Sequence, residues 1–323
     1  MMITSTSDLQ QQLLKPSYWR WYELVLWLLV FAAPWLFPSH ALIVNEVAIV
    51  ALFALSLDLV LGYSGVVSLG HAAFLGFGAY TAALFAKHVM PDPFVGLLLA
   101  MLATTALGAV FSVTILRGTD LTRLMVTLGL ALILLELANK LDWLTGGSDG
   151  LQGVIMGPVM GRFEFDLMGQ TAASYSLVVL FILFFAVRHW VYSPMGATVK
   201  AIRDNRLRAA AIGINANAKI SIVYTVAAGL AGAAGALMAQ TTGFASLDIF
   251  ALDRSADVML MLVIGGVGWL YGGLLGAVAF KLMHDLISSI TPQYWTFWIG
   301  LFLVVLVLVG RDKLLKPWKW WSS

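Results

Sequence analysis

Cysteine is absent from the 323 residues, which removes disulfide scaffolds, thiolate metal sites and cysteine nucleophiles together. Charge is scarce as well: Asp, Glu, Lys and Arg make up 11% of the chain, against roughly 25% in a soluble domain. The 19 basic and 17 acidic residues leave a formal net charge of +2, too small to imply nucleic acid as a partner. No long polar stretch marks off a separate soluble domain, so positions 1–323 read as one unit. Catalytic signatures are missing. There is no G-x-x-x-x-G-K-[ST] phosphate loop, no H-E-x-x-H and no G-x-S-x-G. The histidines at 40, 71, 88, 189 and 284 have no metal-ligand spacing. The chain is therefore expected to hold no metal and no cofactor, and not to be an enzyme. Residues 1–20 are polar and show no apolar core followed by small residues, so no cleavable signal peptide is expected.

What is present is apolar. A hydrophobic share of 60% leaves too little polar surface to cover a water-soluble globule, and at ~20 residues per crossing it supplies about ten transmembrane helices. A membrane barrel would show short alternating segments instead. The fold class is all-α polytopic membrane protein. Apolar runs between polar breaks predict spans at 22–38, 42–62, 66–86, 95–116, 121–139, 172–191, 219–242, 255–269, 272–290 and 295–310. Pro38, Pro91, Pro93, Pro194 and Pro292 fall at or beside the breaks, where a missing N–H matters least. The runs 22–38 and 255–269 are short. The second ends in Gly265-Gly266, which leaves open a broken or re-entrant helix in place of a full crossing.

Basic residues set the orientation, because Lys and Arg are retained on the cytoplasmic side. With both termini inside, that side takes Lys15, Arg20, Arg117, Arg123, Arg188, Lys200, Arg203, Arg206, Arg208, Lys219, Arg311, Lys313, Lys316 and Lys319. The outer side takes only Lys87, Lys140, Arg162 and Arg254, against Asp92, Asp142, Asp149, Glu164, Asp166, Asp248, Asp253 and Asp257. That acidic excess is either leftover asymmetry or a docking face for a basic partner. An inner segment 1–21, a loop 193–217 and a basic tail 311–323 complete the layout. In the tail, Trp318, Trp320 and Trp321 beside Lys316 and Lys319 suit a membrane surface.

Four features carry information. In Leu57–Thr81, the residues Gly62, Ser64, Gly65, Ser68, Gly70, Gly76 and Gly78 interrupt an otherwise apolar stretch. Small residues let helices approach closely, and a helix break at 62–65 is tolerable only against protein or a water-filled path; packing and pathway lining both remain open. A second cluster, Gly265–Ala277, stands at the corresponding point of a later hairpin and hints at duplication. Among ionisable residues inside predicted spans (Glu46, Asp58, His71, Glu136, Lys281, His284 and Asp285), Asp58 and Glu136 are the candidates for a functional interior, and Lys281 with Asp285 has i, i+4 spacing. The candidate translocation path is thus Asp58, Gly62, Ser64, Gly65, Ser68, Gly70, His71, Gly76, Glu136, Gly265 and Gly266. Finally, GATVKAIRDNRLRAAAIGI from Gly196 reads as a short helix, with Val199, Ile202 and Ala209 or Ala210 as its apolar stripe and Lys200, Arg203 and Arg206 on another face. It is either a topology-fixing loop or a plug for a partner's groove.

Leu61–Thr81, KAIRDNRLRAAAIGIN and VIGGVGWLYGGLLGA at Val263–Ala277, with RGTDLTRLMVTLG, TGGSDGL and AGLAGAAGALMA, together resemble the M-type permease subunit of branched-chain amino acid ABC importers. The resemblance implies a bacterial inner-membrane protein paired with a similar H-type permease, two cytoplasmic ATPases that hold ATP and Mg, and a periplasmic binding protein, with lipid around them. It makes Lys200, Ala201, Ile202, Arg203, Asp204, Asn205, Ala209, Ala210, Ala211, Ile212 and Gly213 the coupling segment to the ATPase, and it implies transport by alternating access. The same architecture serves urea, amides and carboxylates; an ion-coupled transporter acting alone through Asp58 and Glu136 is the reading from another class. Two departures stand out: the first carboxylate after Gly129 is Glu136, and the chain ends in the Trp-rich basic tail.

Overall fold

Backbone groups in hydrocarbon need internal partners, and a chain this apolar meets the need with helices. The computed structural model describes residues 20–115, 118 and 120–309. Its helices are α1 (Trp21–Leu36), α2 (Ala41–Asp58), α3 (Ala72–His88), α4 (Pro93–Ile115), α5 (Asp120–Lys140), the single turn α6 (Asp142–Thr145), α7 (Gln170–Val191), α8 (Pro194–Asp204), α9 (Arg206–Ala211), α10 (Ala216–Thr242), α11 (Leu252–Gly265), α12 (Leu270–Ile290) and α13 (Trp295–Val309). Six stretches among the described residues are long and apolar enough to cross a membrane: Pro38–Tyr63, Pro93–Ile115, Leu121–Lys140, Gln170–Val191, Ala216–Thr242 and Leu270–Ile290. Each remaining expected span also falls on a helix, but α1, α3, α11 and α13 have 16, 17, 14 and 15 residues. At 1.5 Å per residue α11 reaches roughly 21 Å, short of a hydrocarbon core of about 30 Å. Arg117, the tail 311–323 and most of the 1–21 segment lie outside the described residues.

α10 forms the centre. Its alanine-rich run favours helix, Asn215 caps it by accepting the Ala218 N–H at 3.1 Å, and Gly243 ends it. Of its most apolar window 78% is buried, against 22% for α12 at the rim. α3 and α4 pack along α10, α2 packs on α7, α10 and α12, and α11 folds back against α12. Side-chain hydrogen bonds tie these layers. Asn45 of α2 accepts from Ser176 of α7 at 2.6 Å and donates to Thr241 of α10 at 3.1 Å. Ser112 and Ser221 meet at 2.5 Å. In lipid such polar pairs and close backbone contact replace the hydrophobic drive for association.

Two expectations are corrected. The span expected from position 66 begins six residues later, because 66–71 are irregular and α3 starts at Ala72, whose N–H is taken by Ser255 Oγ at 2.9 Å. The small and polar residues from Ser64 to Gly70 do not hold a helix. The single inner-loop helix is instead a pair, α8 and α9, broken at Asn205 in extended conformation (φ −158°, ψ 101°). Asn205 competes with the helix by capping the next one, its Oδ1 accepting the Arg208 N–H at 2.8 Å.

Where α3 crosses α10, a β-carbon on Gly78 would lie 2.5 Å from Gly232 Cα. Gly78→Ala should therefore lower the thermal midpoint of the purified chain in detergent by the equivalent of about 1–3 kcal/mol. Gly129→Ala, in open space on α5, should leave it unchanged or raise it. Equal midpoints for the two variants would contradict this packing.

Candidate functional site

The last turn of α2 widens into a π-turn over Leu59–Tyr63. A π-turn displaces the hydrogen-bond ladder and frees carbonyls. The chain then leaves the helix, with Gly65 at φ +72°. A second interruption, residues 266–269 between α11 and α12, sits directly against it. Asp58 Oδ1 accepts the Gly268 N–H at 2.7 Å, and any β-carbon on Gly62 would collide with both Asp58 and Gly268. The two glycine clusters expected at separate hairpins thus meet backbone to backbone.

The segment between α7 and α10 completes the site. Ser193 caps α8 with Pro194 behind it, and Val199, Ile202 and Ala209 bury the expected apolar stripe. Arg203, 41% exposed, reaches to the end of α2: its Nη1 donates to the Gly62 carbonyl, and a β-carbon on Gly268 would lie 3.0 Å from the same nitrogen. Its stem runs along Gly65, and its Nε is 3.7 Å from Asp204. Lys200 Nζ stands 5.3 Å from the ring centres of Tyr63 and Tyr192. Burial, and then the neighbouring Arg203 charge, hold its ammonium below the ordinary lysine range. Arg206 donates to Asn217 at the start of α10. Lys200, Arg203 and Arg206 are therefore not one solvated charge face.

The opposite side of the α8–α9 pair is open. Leu207 is 84% and Ile212 72% exposed, and Ala201, Asp204, Asn205, Ala210, Ala211 and Gly213 are exposed around them.

Other candidate path residues are dispersed. His71 is fully buried, its Nε2 2.9 Å from Ser56 Oγ and its ring stacked on Phe53. Ser64 donates to the Val60 carbonyl at 2.6 Å, and Ser68 is buried. Gly70 faces the Thr127 carbonyl, Gly76 the Phe250 ring, and Gly265 and Gly266 close the α11–α12 hairpin against Gly272. Glu136 is on the surface of the chain, 3.6 Å from Lys140. Sequence reasoning overlooked three partners: Gly268; Glu23, which pairs with buried Arg188 at 2.7 Å; and Glu46, which pairs with Lys281 at 2.5 Å beside the expected Asp285 contact at 3.4 Å. The lone acid in the first turn of α1 was the available signal for Glu23. Among the described residues no group of three His, Cys, Asp or Glu side chains could hold a metal ion.

A family model described as branched-chain amino acid transport system, permease component, matches residues 40–309. The chain belongs to that family. The matched range takes in α2 through α13 and so the entire Asp58–Arg203–Gly268 node. Similar proteins include the high-affinity branched-chain amino acid transport system permease protein LivM of Salmonella typhimurium, 27% identical over 316 residues that cover 90% of this chain and 73% of that protein. The permease protein BraD of Pseudomonas aeruginosa is 23% identical over 280 residues, 81% of this chain and 89% of that one. The fructose import permease protein FruG of Bifidobacterium longum is 28% identical over 153 residues, 45% and 44%. No solved structure matches. With six helices able to cross a bilayer, this member of the permease family is a multi-pass inner-membrane transport component.

At φ +77° Gly268 occupies left-handed backbone space. Gly268→Ala should cost about 1–2 kcal/mol from that conformation alone, and it also presses on Arg203. A lowered thermal midpoint in detergent is expected; an unchanged one would argue against the turn as described.

Proposed function

We propose that this permease is the M-type half of an ATP-binding-cassette importer for branched-chain amino acids. It crosses the inner membrane about ten times with both termini in the cytoplasm. It pairs with an H-type permease, receives solute from a periplasmic binding protein, and is driven by two cytoplasmic ATPases that carry the ATP and Mg. The observation that carries this reading is the α8–α9 pair: its apolar stripe is anchored on the chain's own helices while Leu207 and Ile212 stand uncovered. A large aliphatic side chain held out on a rigid, capped element is a handle for a groove in another protein. The basic residues of the same loop place it on the cytoplasmic side, where the ATPases would be. Branched-chain amino acids are preferred as solute because the permeases similar over most of this chain carry that name; the fructose permease matches less than half of it.

Transport then follows from alternating access. ATP binding draws the motors together, α8–α9 moves with them, and the permease pair rocks between two packings of different affinity for its partners. Proteoliposomes holding both permeases and both ATPases, supplied with binding protein, should take up leucine only with ATP inside the motor compartment, and uptake should survive collapse of the proton gradient. Uptake that follows the gradient and ignores ATP would identify an ion-coupled transporter. In the same assembly, Leu207→Glu with Ile212→Glu should abolish co-purification of the ATPases at unchanged membrane insertion. Retention of the ATPases would remove α8–α9 as the handle.

A further inference from the structure

Arg203 is still 41% exposed, yet the tip of its side chain is held at the end of α2, and this needs a reason. Its guanidinium ends on the Gly62 carbonyl, beside the turn whose Gly268 N–H is held by Asp58 Oδ1 at 2.7 Å. The second oxygen of that carboxylate, Oδ2, is buried and accepts no hydrogen bond, in a residue only 1% exposed. A buried carboxylate with one empty oxygen is costly unless a donor serves it in some state of the molecule. The cation brought against both touching backbones is Arg203. Its Nη1 serves a neutral carbonyl and its Nε has only the exposed Asp204 at 3.7 Å, although a close charge-assisted pair with a buried carboxylate is the stronger interaction. Both groups flank the same touching backbones, Gly62 and Gly268, so a modest shift of α8 alters their separation while leaving the rest of the bundle packed.

We infer that Asp58 and Arg203 are positioning residues forming a two-position latch between α8 and the paired helix interruptions. In the position seen here Arg203 holds the end of α2 through the Gly62 carbonyl, and Asp58 holds the 266–269 turn. In the other position, reached when the motors move α8, the guanidinium passes from Gly62 to Asp58 Oδ2. That frees the Gly62 carbonyl and lets the two interruptions slide. The latch rests on the importer reading and adds to it the atoms through which motor movement enters the membrane helices.

The test uses the complete assembly in proteoliposomes and reads ATP hydrolysed per leucine moved, with co-purification of the ATPases and the thermal midpoint as controls. Asp58→Asn keeps an oxygen acceptor for Gly268 but removes the charge from the second position. It should raise the ratio at least ten-fold with ATPases still bound and the midpoint unchanged. Arg203→Gln should do the same, Arg203→Lys should restore part of the coupling, and the double variant Asp58→Asn/Arg203→Gln should be no worse than either single change. A wild-type ratio in Asp58→Asn, or losses that multiply in the double variant, would overturn the latch. If Asp58→Asn fails to fold, the Gln and Lys variants of Arg203 decide: equal ratios for the two overturn it. A wild-type assembly that moves leucine without ATP rejects the importer reading itself, an outcome visible before any variant is made.

Discussion

Everything in this molecule turns on a constraint of backbone chemistry. Two helices stop against one another, at Tyr63 and at Gly265, and the N–H and C=O groups freed where they touch need partners from the chain itself. The answer is reciprocal capping by side chains from elsewhere. A carboxylate from α2 takes the N–H of the second interruption, and a guanidinium from α8 takes the carbonyl of the first. Because the two backbones touch, only glycine fits at 62, and the φ of +77° at 268 favours glycine there. A junction built this way is neither a loose loop nor a continuous helix. Its geometry is fixed by two polar contacts, and in the proposed latch each is exchanged without unpacking a hydrophobic core.

The surrounding bundle makes that exchange consequential. α10 is locked by close glycine and alanine contacts to α3 and α4 and by the Asn45, Ser176 and Thr241 hydrogen bonds. Interiors packed at this density do not deform gradually; they pass between discrete arrangements. A shift at the junction is therefore not absorbed locally. It reaches α2, α11 and α12 as units, since the first ends at the junction and the other two meet there. The buried Glu23–Arg188 pair adds a fixed point at the other end of α7 from its start.

The helical class and the position of nearly every helix were legible in the sequence, because apolar runs between prolines and charges report burial in lipid directly. The stripe Val199, Ile202 and Ala209 was legible for the same reason: period and burial go together. What escaped was everything that depends on two distant segments meeting. Position 66 looked helical by hydropathy, yet the chain runs irregularly over 66–71, with the Val66 N–H turned back to the Val60 carbonyl and the Ala72 N–H taken by Ser255 of α11. Asn205 looked like one more polar residue in a helix, although its side chain prefers to cap the next turn. Glu136, a candidate for the interior by its place in an apolar run, sits on the chain's surface beside Lys140; hydropathy reads depth along a helix and not the direction a side chain faces. Gly268 was invisible until its partner Asp58, 210 positions away, was known.

The spacing of Lys200, Arg203 and Arg206 marks the limit of pattern reading most clearly. Three basic residues at intervals of three describe one face of a helix, and a charged face invites the conclusion that it meets water or a partner. In the folded chain the three diverge. Lys200 lies over two tyrosine rings, Arg203 reaches the end of α2, and Arg206 reaches the start of α10. The large apolar side chains left for a partner are Leu207 and Ile212, with Asp204 and Arg208 exposed beside them. This division has a mechanical consequence. An apolar grip is insensitive to direction and resists being pulled loose, whereas a charge-assisted hydrogen bond depends steeply on distance and angle. In the proposed coupling role, an element with the first on its outer side and the second on its inner side would hold firmly to whatever moves it and respond sharply where it delivers that movement.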